Sequence, residues 1–167
     1  CPESRGLGDV YKRQIIKFMN RKQKENEKKY KICPTCIFGL GKIHHLPISY
    51  QRQKLLNQAI EVGFKDFDVS PAYGNGLNEI ELGKFIRKIN IRPRILTKFG
   101  IPSELYGATY QDFSYFIRIY KKLITKNYGN EYLKRDFTPS NMKNSLEGSL
   151  RRLKVDYVDD FMIHEPI

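Results

Sequence analysis

Apolar residues recur along this chain in two rhythms that take turns. A short run from Ile32 to Leu40 closes on Gly39-Leu-Gly41 and predicts a strand followed by a tight turn. A helix is predicted from Tyr50 to Val62, because Leu55, Leu56, Ala59 and Ile60 share one face. Ser49 is its expected N-cap and Gly63 its stop. Phe64 to Val69 reads as a second strand, followed by a Gly74-Asn75-Gly76 turn. Asn78 then reads as the cap of a second helix with Glu79 and Glu81 in its first turn, where the helix dipole favours anions. Leu82, Phe85, Ile86 and Ile89 form the expected buried stripe of that helix. Arg94 to Lys98 reads as a third strand stopped by Gly100. Thr138-Pro139 opens a further helix with Met142, Leu146, Leu150 and Leu153 on one face, and Tyr157 to Ile163 is a fourth strand.

Alternation of strand and helix implies a parallel sheet. Such sheets hold ligands at the carboxyl ends of their strands. Asp68, Lys98 and His164 stand at three of those ends, and Tyr73 follows Asp68 in the next loop. Taken singly, each has an ordinary reading: a turn carboxylate, a rim aromatic, a solvated strand end, a satisfied core histidine. Together they describe an active site on a β/α barrel. The long connection from Gly100 to Asp136 emerges on the same side. Its Tyr115, Phe116, Ile119, Tyr120, Leu123 and Ile124 have helical spacing, which suits either a pocket wall or an insertion packed on the rim.

Composition narrows this picture. The chain has 167 residues, enough for a hydrophobic core but short for a complete barrel of eight units, which takes about 250. The net charge of +12 owes much to the segment from Lys12 to Lys31, where Glu25 and Glu27 are the acids. A run of that kind reads as a solvated tail, so nucleic-acid binding is not expected. No apolar run reaches the length of a membrane span, and three cysteines do not make a disulfide framework. A reducing cytoplasm is the expected location. Residues 1–14 lack a methionine start and any apolar period and resemble a translated adapter, so Met19 is the first plausible start. Residues 1–31 are accordingly expected to be a leader and charged lead-in, and 32–167 the folded unit.

Five blocks, in order and each on its expected element, resemble the N-terminal half of an aldo-keto reductase. They are Gly63-Phe-Lys-Asp-Phe-Asp68-Val-Ser-Pro-Ala-Tyr73-Gly-Asn-Gly, Asn78-Glu-Ile-Glu-Leu-Gly83 and Ile95-Leu-Thr-Lys98-Phe-Gly. Ser145-Leu-Glu-Gly-Ser-Leu-Arg-Arg-Leu153 and Asp156-Tyr-Val-Asp-Asp-Phe-Met-Ile-His164 complete the set. The resemblance implies an α/β fold, a parallel (β/α) barrel of TIM type present as roughly its first half, four strands and their helices. It implies a catalytic tetrad of Tyr73, Lys98, Asp68 and His164, with NADPH or NADH as cofactor and a small carbonyl or sugar-like substrate. In the family the nicotinamide delivers hydride to a carbonyl carbon while the tyrosine protonates the oxygen. A free phenol is a poor acid at neutral pH, and a neighbouring ammonium stabilises its phenolate. The resemblance casts Lys98 in that role, with Asp68 holding the lysine and a neutral His164 orienting the carbonyl. Gly41, Lys42 and Asp68 are the implied cofactor contacts, although the first-strand turn commonly reads Gly-Thr in the family and here reads Gly41-Lys42. Asp160 stands where the family usually has an apolar residue; strand alternation puts it on the face of Met162 and His164, toward the barrel interior, where a buried carboxylate needs a partner or is protonated.

The family's later strands bind most of the cofactor, and the resemblance stops after the fourth. The expectation is a truncated product with open parallel edges at its first and fourth strands, which binds NADPH poorly and reduces nothing alone. Two other readings compete. One is a barrel of the same family that binds or regulates without turnover. The other is a metal or redox module built on Cys33-Pro-Thr-Cys36 and His44-His45, but there is no second CxxC and the spacing fits no common finger, so no metal is expected.

Overall fold

Four parallel strands and the helices between them carry the chain in a computed structural model that describes residues 36–89, 92–124 and 135–165. Strand β1 is Ile37–Gly39, and a short 3-10 turn, Ile43–His45, leads to helix α1, Ser49–Glu61. Strand β2, Asp66–Asp68, is followed by α2, Leu77–Ile86, and by strand β3, Arg94–Phe99. The long connection holds α3, Tyr106–Tyr110, a 3-10 turn and α4, Ser114–Ile124. Helix α5, Pro139–Leu153, then leads to β4, Asp160–Ile163.

The sheet order is β1-β2-β3-β4, each pair parallel. Register sets Gly39 beside Asp68, Asp68 beside Leu96, and Lys98 beside Met162. Strand alternation divides the two faces by chemistry. Phe67 and Ile95 point toward the helices and join Leu40, Leu56, Ala59, Ile60, Leu82, Phe85 and Leu153 in one buried core. The opposite face carries Asp68, Lys98 and His164. Asp160 is on that face too, and its carboxylate takes Arg94 of β3 as its partner at 2.5 Å.

Two of the expected caps are not caps. Helix α1 begins at Ser49 itself, and the Ser49 hydroxyl donates instead to Glu81, 2.8 Å away. Asn78 lies inside α2, whose N-cap is Gly76 at φ 85°, and its amide donates to the Leu40 carbonyl at 2.6 Å. Local sequence offered both residues as caps, but a buried acceptor across the helix layer claimed each of them. Thr138 does cap α5, accepting from the Asn141 amide, with Pro139 in the first turn.

Glu79 and Glu81 belong less to the helix dipole than to a buried polar layer. Glu79 accepts from Thr97 at 3.0 Å and from Arg152 at 2.5 Å. Glu81 accepts from Ser49, Gln53 and Lys84 and faces the buried Arg52 guanidinium at 3.6 Å. Helices α2 and α5 meet at Gly83, where a Cβ would overlap the Leu153 carbonyl oxygen.

The spacing that predicted a helix at Tyr115 to Ile124 is realised as α4. Its Phe116, Tyr120, Leu123 and Ile124 are nevertheless exposed among the described residues. The described part of the connection up to Ile124 packs against the loops after β1 and β2. Ala108 N–H donates to the Asn75 carbonyl, Arg118 to the His44 carbonyl, and Arg52 to Asp112.

Candidate active site

The site begins with where β2 stops. Asp68 is its last residue, and the Asp68 carbonyl accepts the Leu40 N–H at 2.9 Å, which ties the end of β2 to the turn after β1. Beyond it the chain bends at Ser70 to Tyr73, closed by a Tyr73 N–H to Ser70 carbonyl bond of 3.0 Å. Gly74 and Gly76 carry the loop through positive φ. A Cβ at Gly74 would come within 2.6 Å of His44 Cβ, so only a glycine lets the loop lie this close to the turn after β1. That bend returns the Tyr73 phenol over the strand ends.

Lys98, on β3, reaches both earlier residues. Its ammonium is ion-paired with Asp68 and donates to the Tyr73 hydroxyl at 3.1 Å. His164 follows β4, anchored by its N–H on the Phe99 carbonyl at 2.8 Å. Its imidazole stands edge-on to the Tyr73 ring with centroids 5.3 Å apart and planes at 89°. Burial holds His164 below the ordinary histidine range, and the Lys98 charge pushes the same way. The ring is therefore neutral at pH 7.

The four residues expected at the strand ends thus come together. Gly41 joins them, because a Cβ there would lie 3.8 Å from Tyr73 Cζ, so its bare backbone flanks the phenol ring. Gly39 has open space where its side chain would be. The end of β1 therefore leaves backbone uncovered at Gly39 and, at Gly41, against the Tyr73 ring. Lys42 does not join the cluster; it is exposed, and its charge acts on His45.

One participant was not singled out beforehand. Ser70 is wholly buried, and its hydroxyl oxygen lies 3.1 Å from His164 Nδ1. The signal was present, since Ser70 is two residues past Asp68 and alternation puts both on one side. Cys33 lies outside the described residues, and Cys36 is exposed. The His44 and His45 rings lie with centroids 4.5 Å apart and planes tilted at 49°. Burial first, then the charges of His45 and Arg118, lower His44 to about 4. Among the described residues no cluster of three or more metal-ligating side chains occurs, and no helix is long and apolar enough to cross a membrane.

Residues 37–167 match the sequence profile of the Aldo/keto reductase family. The chain belongs to that family. It is 26% identical over 108 residues to an NADH-specific methylglyoxal reductase of Escherichia coli K12, a match covering 64% of this chain and 28% of that one. An aldo-keto reductase from Bacillus halodurans in holo form superposes with a TM-score of 0.55 at 23% identity, over 76% of this chain and 34% of that one. The glycerol dehydrogenase of Gluconobacter oxydans gives 0.57 at 22% identity, over 78% and 35%. At such identities the structural likeness speaks to the fold. The four strands and their helices are part of the family's TIM-type barrel, and the chain spans about a third of these relatives' length.

Proposed function

We propose that this aldo-keto reductase segment supplies the acid–base half of a carbonyl-reducing site, with NADPH or NADH as cofactor and a small aldehyde, ketone or sugar-like substrate. The observation that carries the reading is Lys98, whose ammonium bridges the Asp68 carboxylate and the Tyr73 phenol at the ends of adjacent strands. A nicotinamide, when bound, supplies hydride to the carbonyl carbon. Tyr73 gives its proton to the carbonyl oxygen. The ammonium 3.1 Å from the phenol oxygen stabilises the negative charge left behind, and Asp68 holds the ammonium in place. His164, neutral, orients the carbonyl oxygen by a hydrogen bond. Gly41 and Gly39 leave bare backbone for the cofactor ring.

The relative named for methylglyoxal reduction supports a small aldehyde as the first substrate to try. The test is Tyr73→Phe in a barrel completed with the later strands of a relative. Proton donation by a positioned side chain is worth about 10²–10⁴-fold. We expect kcat for methylglyoxal reduction to fall by that order; an unchanged rate would overturn Tyr73 as the proton donor, and a completed native barrel that binds cofactor but turns nothing over would overturn the reading in favour of binding without turnover.

Within the same reading, residues 32–167 are the first half of the barrel; the expected lead-in, residues 1–31, lies outside the described residues. The later strands hold most of a cofactor in a complete barrel. The 167-residue polypeptide alone is therefore expected to bind NADPH weakly and to reduce nothing. Turnover of methylglyoxal with NADPH by the purified chain would refute this.

A further inference from the structure

We propose that Ser70 is a positioning residue that sets the tautomer of His164. Its hydroxyl donates to Nδ1, which leaves the imidazole proton on Nε2, the nitrogen free to meet a substrate carbonyl oxygen. The inference rests on the reading of His164 as the residue that orients the carbonyl.

The argument starts from the inventory of protons. A serine hydroxyl has one hydrogen to donate and two lone pairs to accept with, and a neutral imidazole has one donor and one acceptor nitrogen. Ser70 is wholly buried, with no solvent to complete its bonding. Its oxygen accepts the Ala72 N–H at 3.2 Å, a bond made by the Pro71 bend itself. The remaining contact is His164 Nδ1 at 3.1 Å. Among the described residues the hydroxyl hydrogen has no other acceptor. If Nδ1 carried the proton it would donate to the serine oxygen, and the hydroxyl hydrogen would turn into a buried space with nothing to receive it. The arrangement that satisfies every group has the serine donating and Nδ1 accepting.

The consequence falls on the far side of the ring. A proton on Nε2 is a donor for a carbonyl oxygen; a lone pair there would repel it. The ring's burial keeps it neutral, so the choice between tautomers governs whether the residue works. The second hydrogen bond of a histidine commonly sets which nitrogen is protonated, and here a hydroxyl on the catalytic strand's own continuation makes it.

The experiment is nitrogen NMR on the chain labelled with ¹⁵N-histidine, at a pH of about 8, above the ordinary histidine range. The chain has three histidines, and His44→Gln and His45→Gln identify the His164 signals by elimination. We expect Nδ1 of His164 in its unprotonated form and Nε2 protonated. Ser70→Ala, which removes a hydroxyl and leaves only a small void, should raise the population of the other tautomer several-fold. A protonated Nδ1 in the native chain, or a tautomer ratio unmoved by Ser70→Ala, would overturn the proposal. Should Ser70→Ala lose its fold, the native chain's own tautomer still decides. No turnover enters these measurements. A Tyr73→Phe barrel that still reduces carbonyls would sink the catalytic reading and leave the tautomer result standing, and the reverse also holds.

Discussion

In the proposed site Lys98 is the residue on which the chemistry turns, because its ammonium is ion-paired with Asp68 and donates to the Tyr73 hydroxyl. Lys98→Met in a completed barrel should keep the apolar stem and lose the charge. We expect carbonyl reduction to fall by about 10²–10⁴-fold, of the same order as for Tyr73→Phe, since both remove the same proton transfer. The double variant should be little worse than either single one, as befits residues that act as a unit. Steady-state kinetics on the three variants checks this. His44 offers a separate test, of stability. In the unfolded chain it takes up a proton near its ordinary value of 6.5, while the folded site delays protonation to about 4. Between those values the unfolded state binds more protons, so stability is lost as pH falls from about 6.5 toward about 4 and levels off below. His44→Gln should flatten that slope in urea titrations run across the window. At this scale Asp68, Tyr73, Lys98 and His164 were legible as strand-end polar residues. Ser70 had only its place two residues past Asp68 to mark it; its partner, a histidine 94 positions later, is set beside it by the fold alone.

The helices show where reading an element from its own residues succeeds and where it fails. Apolar spacing located α1, α2, α4 and α5 to within a few residues. The caps proposed at Ser49 and Asn78 failed because neighbouring elements supplied stronger partners than the helix's own backbone. The buried polar layer makes a prediction of its own. Removing Glu81 would leave Arg52, wholly buried, with only the exposed Asp112 and the Leu46 carbonyl among the described residues. Breaking a buried pair from one side costs about 3–5 kcal/mol, and those remaining partners place Glu81→Ala at the lower end, about 3 kcal/mol. Arg52→Met with Glu81→Leu should recover most of it, as urea unfolding of the three variants can establish. Gly83 poses a contest of two effects. Alanine there gains about 1 kcal/mol of helix propensity. It also drives a methyl into the Leu153 backbone oxygen, and overpacking of that kind costs about 1–3 kcal/mol. The obstacle is main chain and has nowhere to go, so Gly83→Ala should destabilise on balance, with a lower urea midpoint.

At the scale of the molecule the sheet is an arc of a barrel. Among the described residues β1 and β4 are its edges, and Ile37 and Met162 lie exposed on them. Parallel edges with apolar side chains invite pairing. The purified chain should therefore associate with rising concentration, as light scattering would show. Joining it to the later strands of a relative should suppress this; a strictly monomeric chain at high concentration would contradict the expectation. Much of this architecture can be read in one dimension. Periodicity is a local property, and the alternation of strands and helices, the parallel sheet and the four candidate residues all follow from spacing along the chain. The division of labour among polar residues does not. Whether Ser49 caps a helix or serves Glu81, whether Asp160 finds Arg94, and which proton His164 holds depend on partners tens of residues away. Only packing brings those partners within the 3 Å or so over which hydrogen bonds act.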